Sequence, residues 1–144
     1  MSWTTSTRLR ESPKHIAGTG PFPDTGAAIF IDWSPMVIKD IAIKVPGSKA
    51  SFTTYFLETP QGALAYEKPL VIVVPGGGYN HLSAREGEPI ALKMNALGYH
   101  ACVLRYSVSP ARYPQALTEL AWIVAWARGN AEQYGIDASH IAVA

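Results

Sequence analysis

The hydrophobic positions change rhythm along the chain. In MVIKDIAIKV (36–45), Ile41, Ile43 and Val45 share one face while Asp40, Ala42 and Lys44 share the other. That two-residue alternation predicts a half-buried strand. Pro46-Gly47-Ser48 marks a turn, and SFTTYFLE (51–58) reads as a second strand, so the two are expected to pair antiparallel. From residue 70 the texture differs. LVIVV (70–74) is apolar at every position, as expected of a strand covered on both faces. HACVLRY (100–106) is a third apolar strand, and HIAVA (140–144) begins one more.

Helical periods fill the intervals. Ile90, Met94 and Leu97 follow helical spacing, Pro89 suits a first turn and Gly98 stands where a C-terminal cap belongs. Ser83 to Glu86 has the spacing of a capping box, but that start would put Pro89 inside the helix, so the later start is expected. Over 114–135, Leu117, Leu120, Ala121, Val124 and Ala131 form one stripe. Gly129 interrupts it at a cost of roughly 1 kcal/mol relative to Ala, which predicts a bend or weak point. Trp122 and Trp126, at i and i+4, are expected to pack together or against a neighbour. Residues 1–35, rich in Gly, Pro, Ser and Thr, read as irregular surface chain with Ile29–Ile31 held to the body. The order is an antiparallel strand pair followed by strand–helix–strand–helix–strand. It predicts an α/β domain over 36–144, with parallel strands and helices on both faces.

Composition narrows the function. Of 144 residues, 48% are apolar and 16% charged, which is enough to build one packed domain. Twelve basic against eleven acidic residues leave a net charge of +1 with no basic run, so neither nucleic acid nor an anionic membrane is an expected partner. The N-terminus MSWTTSTRLRESPKH lacks a continuous apolar core, and no window approaches ~18 uninterrupted apolar residues. The expectation is a soluble, cytoplasmic protein with self-association left open. Cys102, the single cysteine, lies in an apolar run and reads as a buried, inert thiol.

The chemistry concentrates in PGGGY, Pro75 to Tyr79, at the end of the 70–74 strand. Ligands of open α/β sheets gather at such carboxyl ends. Three successive glycines cost backbone entropy, so the loop needs unusual φ values or close approach by another group. A dinucleotide-binding G-x-G-x-x-G would need a third glycine where His81 stands and an acidic residue where the next strand ends in Arg105. The expected helix also starts several residues late for a pyrophosphate. An oxyanion hole fits better, because backbone N–H groups in a rigid loop stabilise a developing negative charge without reorganising. A tight strand-to-helix turn without any ligand is the remaining alternative.

VIVVPGGGYNHLSAREGEPIALKMNALGY, VLRYSVSPARYPQAL and YGIDASHIAVA together resemble the N-terminal half of an α/β-hydrolase esterase. The nearest branch is the acetylesterase and acetylxylan-esterase-like carboxylesterases related to hormone-sensitive lipase. Pro75 replaces the histidine of the HGGG-type motif. The resemblance implies that Gly77 and Gly78 donate their backbone N–H groups to the oxyanion, with Tyr79 lining an acyl pocket. It implies a small-molecule ester as substrate and no cofactor. It also implies that the strand at 140–144 would run into a G-x-S-x-G elbow, followed by Asp or Glu and then His. Residues 1–144 contain no such elbow. The expectation is therefore an oxyanion loop whose triad lies in a complementary C-terminal half, with these 144 residues inactive alone. A half-sheet would expose a sticky edge, so a non-catalytic module pairing through that edge is a second reading.

The other polar residues offer no relay. Ser83, Ser107, Ser109 and Ser139 lack an elbow context, although Ser107 and Ser109 follow a strand end and could face a cleft. His15, His100 and His140 read as structural or solvated. His81 alone stands near the glycines, with substrate contact or plain solvation both open. Arg85 and Glu86 are expected to fix the glycine loop, and Arg105 needs a partner if buried. Tyr106 and Tyr113 read as cleft wall or core. No histidine or carboxylate spacing suggests a metal.

Overall fold

The computed structural model describes residues 36–58 and 66–144. The expected irregular segment 1–35, with Ile29–Ile31 and His15, lies outside them. Five strands form one sheet in the order β1-β2-β4-β3-β5. β1 (Asp40–Ala42) pairs antiparallel with β2 (Ser51–Tyr55), and β2 pairs antiparallel with β4 (His100–Arg105). β3 (Lys68–Val73) lies between β4 and β5 (Ile136–Val143), parallel to both. α1 (Glu88–Ala96) joins β3 to β4, while α2 (Gln115–Gly129) and α3 (Ala131–Tyr134) join β4 to β5.

The continuous apolar runs are two alternating sets, one for each face. Phe52, Leu70, Ile72, Cys102 and Leu104 meet Ile123 and Ala127 of α2. Val73, Ala101 and Val103 meet Ala91 of α1 on the opposite face. Helices on both faces explain why no polar residue interrupts these strands. Fully burying a side chain such as Phe52, Ile72 or Ile123 contributes about 1.5–3 kcal/mol. Trp126 packs edge-on against Phe52 at 5.0 Å between ring centroids and also meets Tyr134, so the tryptophans serve the core. Cys102 is buried, and burial pushes its thiol up to about 12.

Three expectations need correction. The first strand spans only three residues, because Thr54 interrupts the ladder beyond it. The Lys39 carbonyl still accepts the Thr54 N–H at 2.8 Å, but the Thr54 hydroxyl takes the Lys39 N–H at 2.9 Å and donates to the Val37 carbonyl at 3.1 Å, and a full bridge returns at Val37 with Phe56. β5 starts earlier than 140, at Ile136, with a register shift opposite Lys68 and Leu70. The buried stripe of α2 is also shifted. Glu119, Ile123 and Ala127 face the core, whereas Leu117 is 55% exposed and Ala121 is exposed. A buried glutamate marks this face, and hydrophobicity alone cannot find it.

The turn signals are otherwise followed. Pro89 sits in the first turn of α1, and Ser83 makes no side-chain cap; a short 3-10 turn covers Ala84–Glu86 instead. Gly98, at φ 88°, closes α1 with its N–H on the Asn95 carbonyl and the Tyr99 N–H on that of Met94. Gly129 ends α2.

Candidate active site

The glycine loop leaves the sheet at the carboxyl end of β3. Gly77, Gly78 and Tyr79 hold φ values of 145°, 61° and 61°. Glycine is required at 77, where a Cβ would fall 2.0 Å from the His81 carbonyl oxygen. Tyr79 adopts the left-handed conformation as a non-glycine, at roughly 1–2 kcal/mol. Its ring rests edge-on against Tyr106 at 5.7 Å, and its carbonyl accepts the Ser109 N–H at 2.7 Å. These contacts tie the loop to the segment after β4.

The loop is braced internally. The Gly76 N–H donates to Glu86 Oε2 at 2.8 Å, and the Gly76 carbonyl accepts the Ser83 N–H at 2.8 Å. The Gly77 carbonyl accepts from the Asn80 N–H at 3.1 Å and the His81 N–H at 3.4 Å. The Tyr106 hydroxyl donates to the Pro75 carbonyl at 2.8 Å. Burial pushes the Tyr106 phenol up, with Tyr79 and Glu86 adding to it, so it remains a donor at neutral pH. Against this background the N–H groups of Gly77 and Gly78 have no hydrogen-bond partner among the described residues.

Two clefts adjoin the loop. One, of about 330 Å³, is bounded by Pro75 to Tyr79 with Leu104, Tyr106, Leu117 and Leu120. The other, of about 490 Å³, lies beyond Tyr79 and is walled by Ser107, Arg112, Tyr113, Pro114 and Leu117. The exposure of Leu117, and of Tyr113 at 86%, follows from their standing at these walls. His81 is exposed and lines neither cleft; it meets the glycines through its backbone carbonyl.

The second cleft wall is held by a residue that the apolar pattern conceals. Glu119 has no exposed surface. Its carboxylate accepts from the Ser107 N–H at 2.8 Å, the Ser107 hydroxyl at 2.5 Å, the Ser48 hydroxyl at 2.6 Å and the Gln115 amide at 3.1 Å. Burial pushes this carboxyl up, but the bonds from Ser107 and Ser48 outweigh it and hold Glu119 below the usual range. The signal in the sequence is a single charge within a largely apolar run, LTELAWIV.

This arrangement sorts the remaining candidates. Ser107 lines a cleft but gives its hydroxyl proton to a carboxylate, with no imidazole between. Ser139 and His140 both bond to Asp137, at 2.5 and 2.6 Å, on the exposed surface. The Ser139 bond, helped by His140, holds the Asp137 carboxyl down at about 2. The Ser139 hydroxyl also lies 3.4 Å from His140 Nδ1, the same nitrogen that meets Asp137, so serine and carboxylate do not take opposite ring nitrogens and form no relay. His100 is buried and bridges the Leu57 N–H to the Gly135 carbonyl. Arg105, half-exposed, reaches Asp40 at 2.6 Å and Thr53 at 2.7 Å. The Glu86 carboxylate on the glycine loop opposes a pyrophosphate there, which counts against the dinucleotide reading. No group of three or more His, Cys, Asp or Glu among the described residues could hold a metal. No described helix is long and apolar enough to cross a membrane.

Strand order, the helices on each face and the glycine loop at the carboxyl end define an α/β-hydrolase scaffold. Residues 58–144 match the BD-FAE family model, and the chain belongs to that family. It is 36% identical over 78 residues to esterase LipC of Mycobacterium tuberculosis, covering 53% of this chain and 19% of LipC. Among solved structures it superposes on MGS-M1, an α/β-hydrolase enzyme from a Medee basin deep-sea metagenome library. There the TM-score is 0.67 and the identity 36%, over 76% of this chain and 46% of that one. An acetyl ester-xyloside bifunctional hydrolase from Caldicellulosiruptor lactoaceticus gives a TM-score of 0.66 at 28% identity, over 73% and 41%. The chain thus spans less than half the length of each of these relatives.

Proposed function

We propose that the protein is a serine carboxylesterase acting on small acyl esters of the acetyl type. In this reading the 144 residues supply the oxyanion loop. Residues outside them supply the serine, the Asp or Glu and the histidine, with the nucleophile elbow following β5. The carrying observation is the pair of unpartnered N–H groups on Gly77 and Gly78, in a braced loop at a cleft. The serine oxygen adds to the ester carbonyl carbon as the histidine takes its proton, and the carbonyl oxygen becomes an oxyanion facing these donors. Collapse expels the alcohol, which receives that proton, and water then hydrolyses the acyl-enzyme. One such donor is typically worth about 10²–10³ in rate. Tyr79 would flank the acyl group. The neighbour named an acetyl ester-xyloside hydrolase supports an acetyl substrate.

Steady-state hydrolysis of a chromogenic acetate ester by the whole protein tests the reading. Turnover that falls to zero in proportion to labelling by a serine-directed phosphonate is expected. Absence of turnover, or turnover that survives full labelling, contradicts it.

A further inference from the structure

We propose that Glu86 and Tyr106 are positioning residues that aim the oxyanion donors by gripping a single peptide group; the inference rests on the esterase reading. The Pro75 carbonyl and the Gly76 N–H belong to the same planar unit. Tyr106 holds the oxygen of that plane at 2.8 Å, and Glu86 holds its N–H at 2.8 Å. A plane fixed at both ends has little freedom to rotate, and the next N–H along the chain is that of Gly77. The two grips come from independent elements. Tyr106 follows β4 and is only 8% exposed, whereas Glu86 ends the 3-10 turn before α1. The Ser83 N–H on the Gly76 carbonyl fixes the following plane from the same turn. Gly76 is matched to this contact, because a Cβ there would fall 2.6 Å from Glu86 Oε2.

Glu86 carries a charge that a simple brace does not need. Its carboxylate makes a shorter, stronger bond to the N–H than a neutral acceptor would. The same charge stands near the place where the oxyanion forms, where it is unfavourable. Its contribution is therefore directional, through the acceptor oxygen, and glutamine can supply that oxygen without the charge. Because an oxyanion exists only along the reaction path, misaimed donors lower kcat and leave KM nearly unchanged.

The test uses the whole protein, with kcat referred to serine sites counted by end-point phosphonate labelling so that misfolded molecules drop out. Glu86→Ala is expected to lower kcat about 10- to 100-fold with KM within about twofold, since small misplacements carry costs of that order. Glu86→Gln should recover the larger part of the loss. Tyr106→Phe, which keeps the ring packing, should lower kcat on its own and serves if Glu86→Ala does not fold. In the double variant the losses should be non-additive, because both act on one peptide plane. Unchanged kcat in Glu86→Ala and Tyr106→Phe, or a glutamine variant as impaired as the alanine one, overturns the proposal while leaving the esterase reading intact. A wild type with neither turnover nor phosphonate uptake overturns both.

Discussion

Gly77 and Gly98 both hold positive φ, at 145° and 88°, at opposite ends of the parallel strands. At Gly98 the chain turns from α1 into β4 and closes its backbone N–H groups on the helix, although the Asn95 side-chain oxygen stays buried without a partner among the described residues. The Gly98 and Tyr99 N–H groups are used by α1, and an added Cβ would meet nothing within 4 Å. Nearby, His100 joins Leu57 to Gly135, and the Asn95 amide nitrogen spans the Tyr55 and Tyr99 carbonyls. At Gly77 the backbone is crowded, yet two N–H groups are left pointing to no protein acceptor among the described residues. Glycine at the amino end solves a turn. At the carboxyl end, in the proposed reading, it leaves two donors for an oxyanion, and the surrounding braces hold the loop in shape.

Substitution at the two ends should separate these roles. Gly77→Ala is expected to lower kcat for an acetyl ester by about 10²–10³, the typical worth of an oxyanion donor, measured by steady-state kinetics. Glu119→Ala should come next, removing about 2–4 kcal/mol by urea denaturation, because it strands the Ser107 N–H and the half-buried hydroxyls of Ser107 and Ser48.

Acidification probes the amino end. Burial lowers the pKa of His100 from 6.5, more than the Gly135 carbonyl restores. Below 6.5 the unfolded chain takes up a proton that the folded His100 refuses. Stability is therefore full above that pH and falls as pH drops, by at most about 1.4 kcal/mol per unit. Denaturant midpoints at neutral and mildly acidic pH should show this slope, and His100→Gln should flatten it. The smallest effect is at Gly98, where Ala in a left-handed turn should cost about 1 kcal/mol by thermal unfolding and leave kcat untouched. A large loss of turnover in Gly98→Ala would erase the contrast between the two ends.

Much of this architecture can be read from residue order. The apolar runs at 70–74 and 100–106 have only one stable solution, burial on both faces, and Pro89 and Gly98 punctuate α1 where the chain needs a start and a stop. The glycines and their place after β3 likewise point to the carboxyl end of the sheet. Glu119 was not legible as a core residue, because its burial depends on Ser48, 71 positions away along the chain. Leu117 misleads in the opposite sense, since its apolar side chain faces a cleft. Alternation in 36–45 overextends the first strand, because it cannot reveal that the Thr54 hydroxyl replaces a ladder bond. The expected bracing role of Glu86 is visible in sequence only as proximity, and its target, the Gly76 N–H, emerges from the path of the loop.

The central claim is that Gly77 and Gly78 serve a serine nucleophile. It is tested most directly by the intact mass of the whole protein under denaturing conditions after incubation with a fluorophosphonate. The expected spectrum shows one phosphonyl adduct on a serine outside residues 1–144, carried on a second fragment or on a chain well above the 15.6 kDa of this sequence. A lone 15.6 kDa species without adduct would contradict the account and leave the glycine loop as a turn without a reaction.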